Sequence, residues 1–171
     1  MELQELSFSD SREFLYKFQK TEKAYGAEWY DVEESEATFI WLIEDLANPL
    51  GFLSYKIFAL PESQEFLYIV KIYVLNTHRG KDALMIEGER VSEVLFRVIE
   101  NKGMNILTLE SSDERLDEYY KSLGFGFNPE LSSMYGSIID TRNRKIIFRN
   151  TQRYEVDLSA QEKQFFSMQQ K

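Results

Sequence analysis

Two strand-prone runs flanking one amphipathic helix constrain this chain more than any other feature. Residues 66–75 and 104–110 are dense in aliphatic and aromatic side chains, as buried strands are. Between them Val91, Val94, Leu95, Val98 and Ile99 recur at i, i+3, i+4, i+7 and i+8, one apolar stripe of a helix. Glu93 and Arg97, four residues apart, are expected to pair on its outer surface, and Gly103 to end it. Strand, helix and strand in that order imply a parallel strand pair joined by a right-handed crossover. Ser111 with Glu114 reads as a capping box opening a second helix. Its apolar face is Leu116, Tyr119, Tyr120 and Leu123, and Gly124 closes it.

The flanking segments extend the sheet. Residues 2–8 form a strand candidate with apolar Leu3, Leu6 and Phe8. Asp10 and Glu13 resemble a capping pair ahead of Phe14, Leu15 and Phe18 at helical spacing. Residues 37–44 and 51–59 are joined by Asn48-Pro49-Leu50-Gly51, a turn signal that predicts an antiparallel hairpin. Residues 135–140 and 145–150, joined by Thr141-Arg142-Asn143-Arg144, read as a second hairpin, whose edge offers a surface for pairing in a homodimer. No repeat or linker interrupts the chain, so one domain is expected over 1–155, with a polar tail at 156–171. The fold class is α/β (α+β): a mixed, mostly antiparallel sheet with a central parallel pair and helices on both faces.

Composition removes several chemistries. With no cysteine and one histidine, His78 in a polar turn, there is no thiol nucleophile, thiolate site or two-histidine metal site. A formal charge of −9 argues against nucleic acid as a main partner and would tolerate a cationic acceptor. No run is long and apolar enough for a membrane span, and the acidic N-terminus lacks a signal-peptide layout. A cytoplasmic address follows by elimination. The acidic run Glu28, Asp31, Glu33, Glu34 and Glu36 reads first as a solvated segment, as does the basic stretch Arg142, Arg144, Lys145, Arg149 and Arg153.

The informative stretch is 66–125. Ile72-Tyr73-Val74-Leu75-Asn76-Thr77-His78-Arg79-Gly80-Lys81 runs from a strand into a cationic loop ahead of a helix, where backbone N–H groups can gather around an anion. It resembles the acyl-CoA motif of the GCN5-related N-acetyltransferase (GNAT) family, a strand followed by Arg-Gly-Lys-Gly and a helix. The segment from Asp113 to Phe125, with Tyr120-Lys121-Ser122-Leu123-Gly124-Phe125, is similar to that family's later motif, in which Asn opens a helix ending in Tyr-x-x-Leu-Gly-Phe. Both motifs stand in the family's order, and the resemblance covers roughly residues 1–150.

The resemblance implies direct transfer of an acetyl or acyl group from acetyl-CoA, without a metal, to an amine that the sequence leaves unidentified. Ile72, Tyr73 and Val74 would hold the pantetheine and polarise the thioester. Arg79, Gly80, Lys81, Asp82 and Ala83 would receive the pyrophosphate, with Asp113 also on the cofactor. Tyr120 would protonate the leaving thiolate. Asp82 and Leu84 stand where the family has glycines, and the segment 79–103 is about four residues longer than usual, which puts Gly88 at the last glycine position in an alternative register. Lys71 stands near the place of the usual base, and Glu110, at a strand end, is the candidate base by position. Two further readings stand beside the enzyme: a catalytically inactive domain of the same fold acting as a CoA-binding or interaction module, and an unrelated α/β binding protein.

Overall fold

The computed structural model describes residues 1–21, 36–44, 48–60, 64–111, 114–140 and 145–150. Six strands form a mixed sheet with antiparallel and parallel pairs, in spatial order β1-β2-β3-β4-β5-β6. The strands are β1 (Glu2–Ser7), β2 (Thr38–Glu44), β3 (Asn48–Ala59), β4 (Glu65–Val74), β5 (Ile106–Ser111) and β6 (Lys145–Asn150). The helices are α1 (Phe8–Thr21), α2 (Val91–Glu100), α3 (Glu114–Ser122) and α4 (Pro129–Ile139). Cα packing divides the chain into two compact units. The first joins Met1–Lys56 with Ile69–Lys102; the second joins Ile57–Tyr68 with the described residues from Gly103 onward. No helix among the described residues is long and apolar enough to cross a membrane.

In the first unit β1, β2 and β3 are antiparallel, so the expected pairing forms, but the turn is not at Asn48-Pro49-Leu50-Gly51. These residues belong to β3, with Asn48 opposite Glu44 and Pro49 opposite Ile43, and a register shift between Leu42 and Ile43 accommodates the proline in the ladder. Alternation sends Phe39, Trp41 and Ile43 to one face, where they meet Phe8, Leu15 and Phe18 of α1, with Phe52 and Tyr73 alongside. Trp41 is fully buried, with the Phe52 ring 4.8 Å away and the Phe14 ring 5.2 Å away. Its indole N–H donates to Ser11 Oγ at 2.9 Å, and Ser11 Oγ donates to the Ser7 carbonyl at 2.7 Å, so the buried polar atoms are satisfied. Ser7 also corrects the expected start of α1. Its hydroxyl accepts the Asp10 amide at 3.1 Å, which makes Ser7 the cap, ends the strand one residue early and leaves Asp10 in the first turn.

Helix α2 covers the opposite face. Gly51, paired with Leu42, would carry a Cβ 2.9 Å from Val91 Cγ1 and 2.8 Å from the Tyr73 carbonyl oxygen. Only glycine permits that approach of β4 and the start of α2 to β3. Val91, Leu95, Phe96 and Ile99 are buried, so the predicted stripe holds with Phe96 added and Val94 and Val98 half-buried. The expected Glu93–Arg97 pair does not form. Arg97 binds Glu89, and Glu93 turns back to accept the Arg90 amide. A carboxylate at the third helical position gains more from the unpaired N-terminal donors than from a solvated partner one turn on.

In the second unit β5 and β6 are antiparallel, and Thr108 Oγ1 donates to the Leu67 carbonyl of β4 at 3.2 Å. The expected C-terminal hairpin is absent, because the segment read as strand at 135–140 lies in α4. Asn128 Oδ1 accepts the amides of Glu130 and Leu131 at 3.0 and 3.1 Å, and Pro129 opens the first turn. Leu131, Tyr135 and Ile139 then form a buried stripe at four-residue spacing, with Tyr135 against Phe66 at 5.0 Å. The outer edge of β6 is engaged: Phe148 exchanges both backbone bonds with Gly126, and the Ile146 amide donates to Ser132 Oγ at 2.9 Å. These bonds occupy Ile146 and Phe148 on the edge on which pairing between copies was expected. Helix α3 also departs from expectation. None of its residues is fully buried, and Leu116 is 45% exposed. The tail at 156–171 and the acidic run up to Glu34 lie outside the described residues.

Candidate functional site

In the first unit the candidate cofactor residues lie on β4 and the loop after it. Ile72 is half-buried, while Tyr73 and Val74 are buried at the strand end. The Tyr73 ring packs on Phe18 at 5.2 Å and carries the Arg79 guanidinium at 5.4 Å on its face. The Leu75 amide donates to the Leu50 carbonyl at 3.0 Å, which ties the end of β4 to β3. A single 3-10 turn, Asn76–His78, then redirects the chain. Arg79 Nε donates to Asn76 Oδ1 at 3.3 Å, Gly80 takes φ +83°, and Lys81 and Asp82 are exposed, with Ala83 half-buried.

The loop does not open directly into a helix. Ile86 and Glu89 pair through both backbone bonds around Glu87 and Gly88, whose φ values of 50° and 81° make a tight two-residue turn. Arg90 Nη1 donates to the Gly80 carbonyl at 2.8 Å and closes the segment on itself. Helix α2 starts at Val91, three residues after Gly88 and well beyond Asp82. The loop is therefore extended, and Gly88 rather than Gly80 adjoins the helix. Arg79, Lys81 and Arg90 bring three cations to it, with Arg97 balancing Glu89. These residues fit a phosphate-bearing cosubstrate: cationic donors on the loop, a turn of positive-φ backbone beside a helix, and a strand end held close by Gly51. The Glu93 carboxylate on the Arg90 amide, at 3.4 Å, is a weak bond that an anionic ligand would have to displace.

In the second unit Tyr120 sits in the last turns of α3. The Phe125 amide donates to the Tyr120 carbonyl at 3.1 Å, and the Gly124 amide donates to the Lys121 carbonyl at 3.0 Å, with Gly124 at φ +95°. This is the left-handed helix stop that the Leu-Gly-Phe pattern predicts. Phe125 is buried and meets the Tyr120 ring edge-on at 6.0 Å. Burial, with a smaller contribution from neighbouring Tyr119, pushes the Tyr120 hydroxyl up to about 12, so it holds its proton at neutral and mildly alkaline pH.

Glu110 is half-buried in β5, paired with Ile146. Strand alternation puts it on the face that carries α4, whereas Ser111 points to the face that carries α3. Glu110 and Tyr120 are thus not gathered on one face. Asp113 lies outside the described residues. Sequence reasoning missed Asp117, whose two oxygens accept from Ser111 Oγ and, at 3.2 Å, from Lys145 Nζ. Lys145 also lies over the Phe127 ring at 4.8 Å. It was read as part of a solvated basic hairpin, and no local pattern links it to a carboxylate 28 residues earlier. Asp117, Lys121, Phe127 and Lys145 border an open cavity of about 420 Å³ with charges of both signs. Arg90 was missed as well, because arginine is no ordinary helix cap.

Comparison with protein-family models and with curated protein sequences finds no match. Solved structures do match. An acetyltransferase of the GNAT family from Staphylococcus aureus superposes with a TM-score of 0.57 at 16% identity, over 88% of this chain and 99% of that one. Tetrahymena GCN5 gives 0.58 at 12% identity, over 90% and 98%. A ribosomal-protein-alanine N-acetyltransferase from Brucella melitensis gives 0.52 at 19%, over 72% and 91%. The chain has the acyl-CoA N-acyltransferase fold that these proteins share. At such identities the likeness is one of fold, and it agrees with the family resemblance of the two sequence motifs.

Proposed function

We propose that this protein is an N-acyltransferase that moves an acetyl group from acetyl-CoA to an amine by direct attack on the thioester. The observation that carries the reading is the unit of β4, the cationic loop and α2. Its strand end is pinned by Gly51 and Leu50, and Arg79, Lys81 and Arg90 follow it on a loop with Gly80 and Gly88 at positive φ. In this reading the backbone of Ile72, Tyr73 and Val74 holds the pantetheine. Arg79, Gly80, Lys81, Asp82 and Ala83 border the pyrophosphate together with Gly88, and Asp113 contributes from the second motif.

The amine nitrogen attacks the thioester carbonyl carbon, a C–N bond forms and the C–S bond breaks. Tyr120 gives its hydroxyl proton to the departing sulfur, and the surplus amine proton passes to Glu110. The raised Tyr120 pKa supports the first role, because the hydroxyl is fully protonated when the thiolate leaves. Glu110 lies on the other face of β5 from Tyr120, so the amine proton would reach it through a chain of water and not by direct contact. The acidic chain favours a cationic amine.

The test is isothermal titration with acetyl-CoA and with free CoA, for the wild type and for Arg79→Ala. The reading expects micromolar binding, weakened roughly tenfold in the variant through loss of a charge-assisted contact. Absence of heat with both ligands would overturn it in favour of a non-catalytic module. Tyr120→Phe should then lower turnover while leaving acetyl-CoA affinity unchanged.

A further inference from the structure

We propose that Asp117 is a positioning residue for Tyr120: by bridging Ser111 and Lys145 it fixes the rotation of α3 and hence the direction of the Tyr120 hydroxyl. The inference rests on the acyl-transfer reading above. Helix α3 has nine residues and no fully buried side chain, only half-buried Tyr119 and Tyr120 on its apolar side, so apolar packing orients it weakly. Two attachments orient it further. At its C-terminal end the Gly124 turn and buried Phe125 hold the chain against β6, where Gly126 pairs with Phe148. In its first half Asp117 takes a hydrogen bond from Ser111 at the end of β5 and another from Lys145 at the start of β6.

One carboxylate with partners on two strands fixes a direction as well as a distance, and both bonds are charge-assisted. Lys145 is itself held over the Phe127 ring, so the anchor has a fixed base. Asp117 and Tyr120 are three residues apart, neighbours on one side of the helix, and a roll about the helix axis carries both. Without the bridge, α3 loses its polar link to β5 and β6, and the hydroxyl loses its aim.

The experiment compares Asp117→Ala and Asp117→Asn, each alone and in a Tyr120→Phe background. The primary readout is alkaline titration of tyrosinate absorbance, with the Tyr120→Phe difference assigning the signal. Asp117→Ala should move the Tyr120 ionisation down from about 12 toward the ordinary tyrosine value, and Asp117→Asn, which keeps an acceptor for Lys145, should restore most of it. An unchanged Tyr120 titration in Asp117→Ala overturns the proposal, whatever the activity. With acetyl-CoA and spermidine as probe amine, Asp117→Ala should lower kcat roughly ten- to a hundredfold at constant KM for acetyl-CoA. It should cost nothing further in Tyr120→Phe; additive losses would make Asp117 a residue of general stability and sink the proposal. Should Asp117→Ala fail to fold, Lys145→Met removes the β6 half of the bridge and should move the Tyr120 ionisation down by a smaller amount, and no movement would overturn the proposal. A shifted titration without turnover or acetyl-CoA binding would overturn the acyl-transfer reading and leave the positioning role of Asp117 standing.

Discussion

Helices α2 and α3 each follow a strand that carries candidate site residues, yet they are held by different physics. In α2, Val91, Leu95, Phe96 and Ile99 are buried, and the helix would find its place from that stripe alone. In α3 no side chain is fully buried, and among its anchors are Asp117 in the first half and the Gly124 turn at the C-terminal end. Apolar burial is non-directional and proportional to area, so α2 is robust but only coarsely oriented. Charge-assisted hydrogen bonds are directional and few, so α3 is aimed well and anchored lightly. In the proposed reaction α2 would frame the cosubstrate loop and need only be present, whereas α3 would carry the proton donor and must also point correctly.

The sharpest way to break this contrast is one substitution made in both helices. Leu95→Ala in α2 should cost about 2–5 kcal/mol through lost burial and the cavity left behind. Leu116→Ala in α3, at a side chain 45% exposed, should stay within about 0.5 kcal/mol. Urea midpoints of the two variants measure both, and equal losses would show that α3 is held by apolar packing after all.

A smaller effect comes from pH. The Tyr120 hydroxyl titrates near 12 in the folded chain against 10.0 for an ordinary tyrosine. Above pH 10 the unfolded chain gives up a proton that the folded chain keeps. Stability is therefore fully present below that value and falls as pH rises toward 12, by up to about 2–3 kcal/mol. Urea unfolding at about pH 9 and about pH 11 should show the decline, and Tyr120→Phe should shrink it. Buried Tyr135, whose hydroxyl is also raised by burial, keeps its own share in that variant. An equal decline with and without Tyr120 would mean that its ring is open to water.

Least in size is Gly124→Ala. It forces a Cβ onto a residue at φ +95° and should cost about 1 kcal/mol. Because this stop is an anchor of α3, the same variant should lower kcat more than its modest Tm change accounts for. A matching fall in both would mean that the stop only stabilises the helix.

Much of this was legible in the residues. The stripe from Val91 to Ile99, the antiparallel pairing of β2 with β3 and the Gly124 stop rest on local rules of periodicity and backbone freedom, whereas turn chemistry misplaced the turn at Asn48-Pro49, which pair with β2 instead. Other elements escaped. The strand-like composition of Tyr135-Gly136-Ser137-Ile138-Ile139 hid a helix whose cap, Asn128, stands well upstream. The start of α1 fell to Ser7 rather than Asp10, because capping depends on which residue leaves the strand first.

The chain order of strands and helices as far as α3, the apolar face of α2 and the two family-like motifs were determined by the sequence alone, since each depends on residues within a few turns of one another. Tertiary structure alone decided that Glu93 caps α2 instead of pairing with Arg97, that Arg90 closes the loop on Gly80, and that Asp117 joins Ser111 to Lys145. A polar side chain has several partners of similar strength within reach, and the choice among them turns on where distant backbone comes to lie.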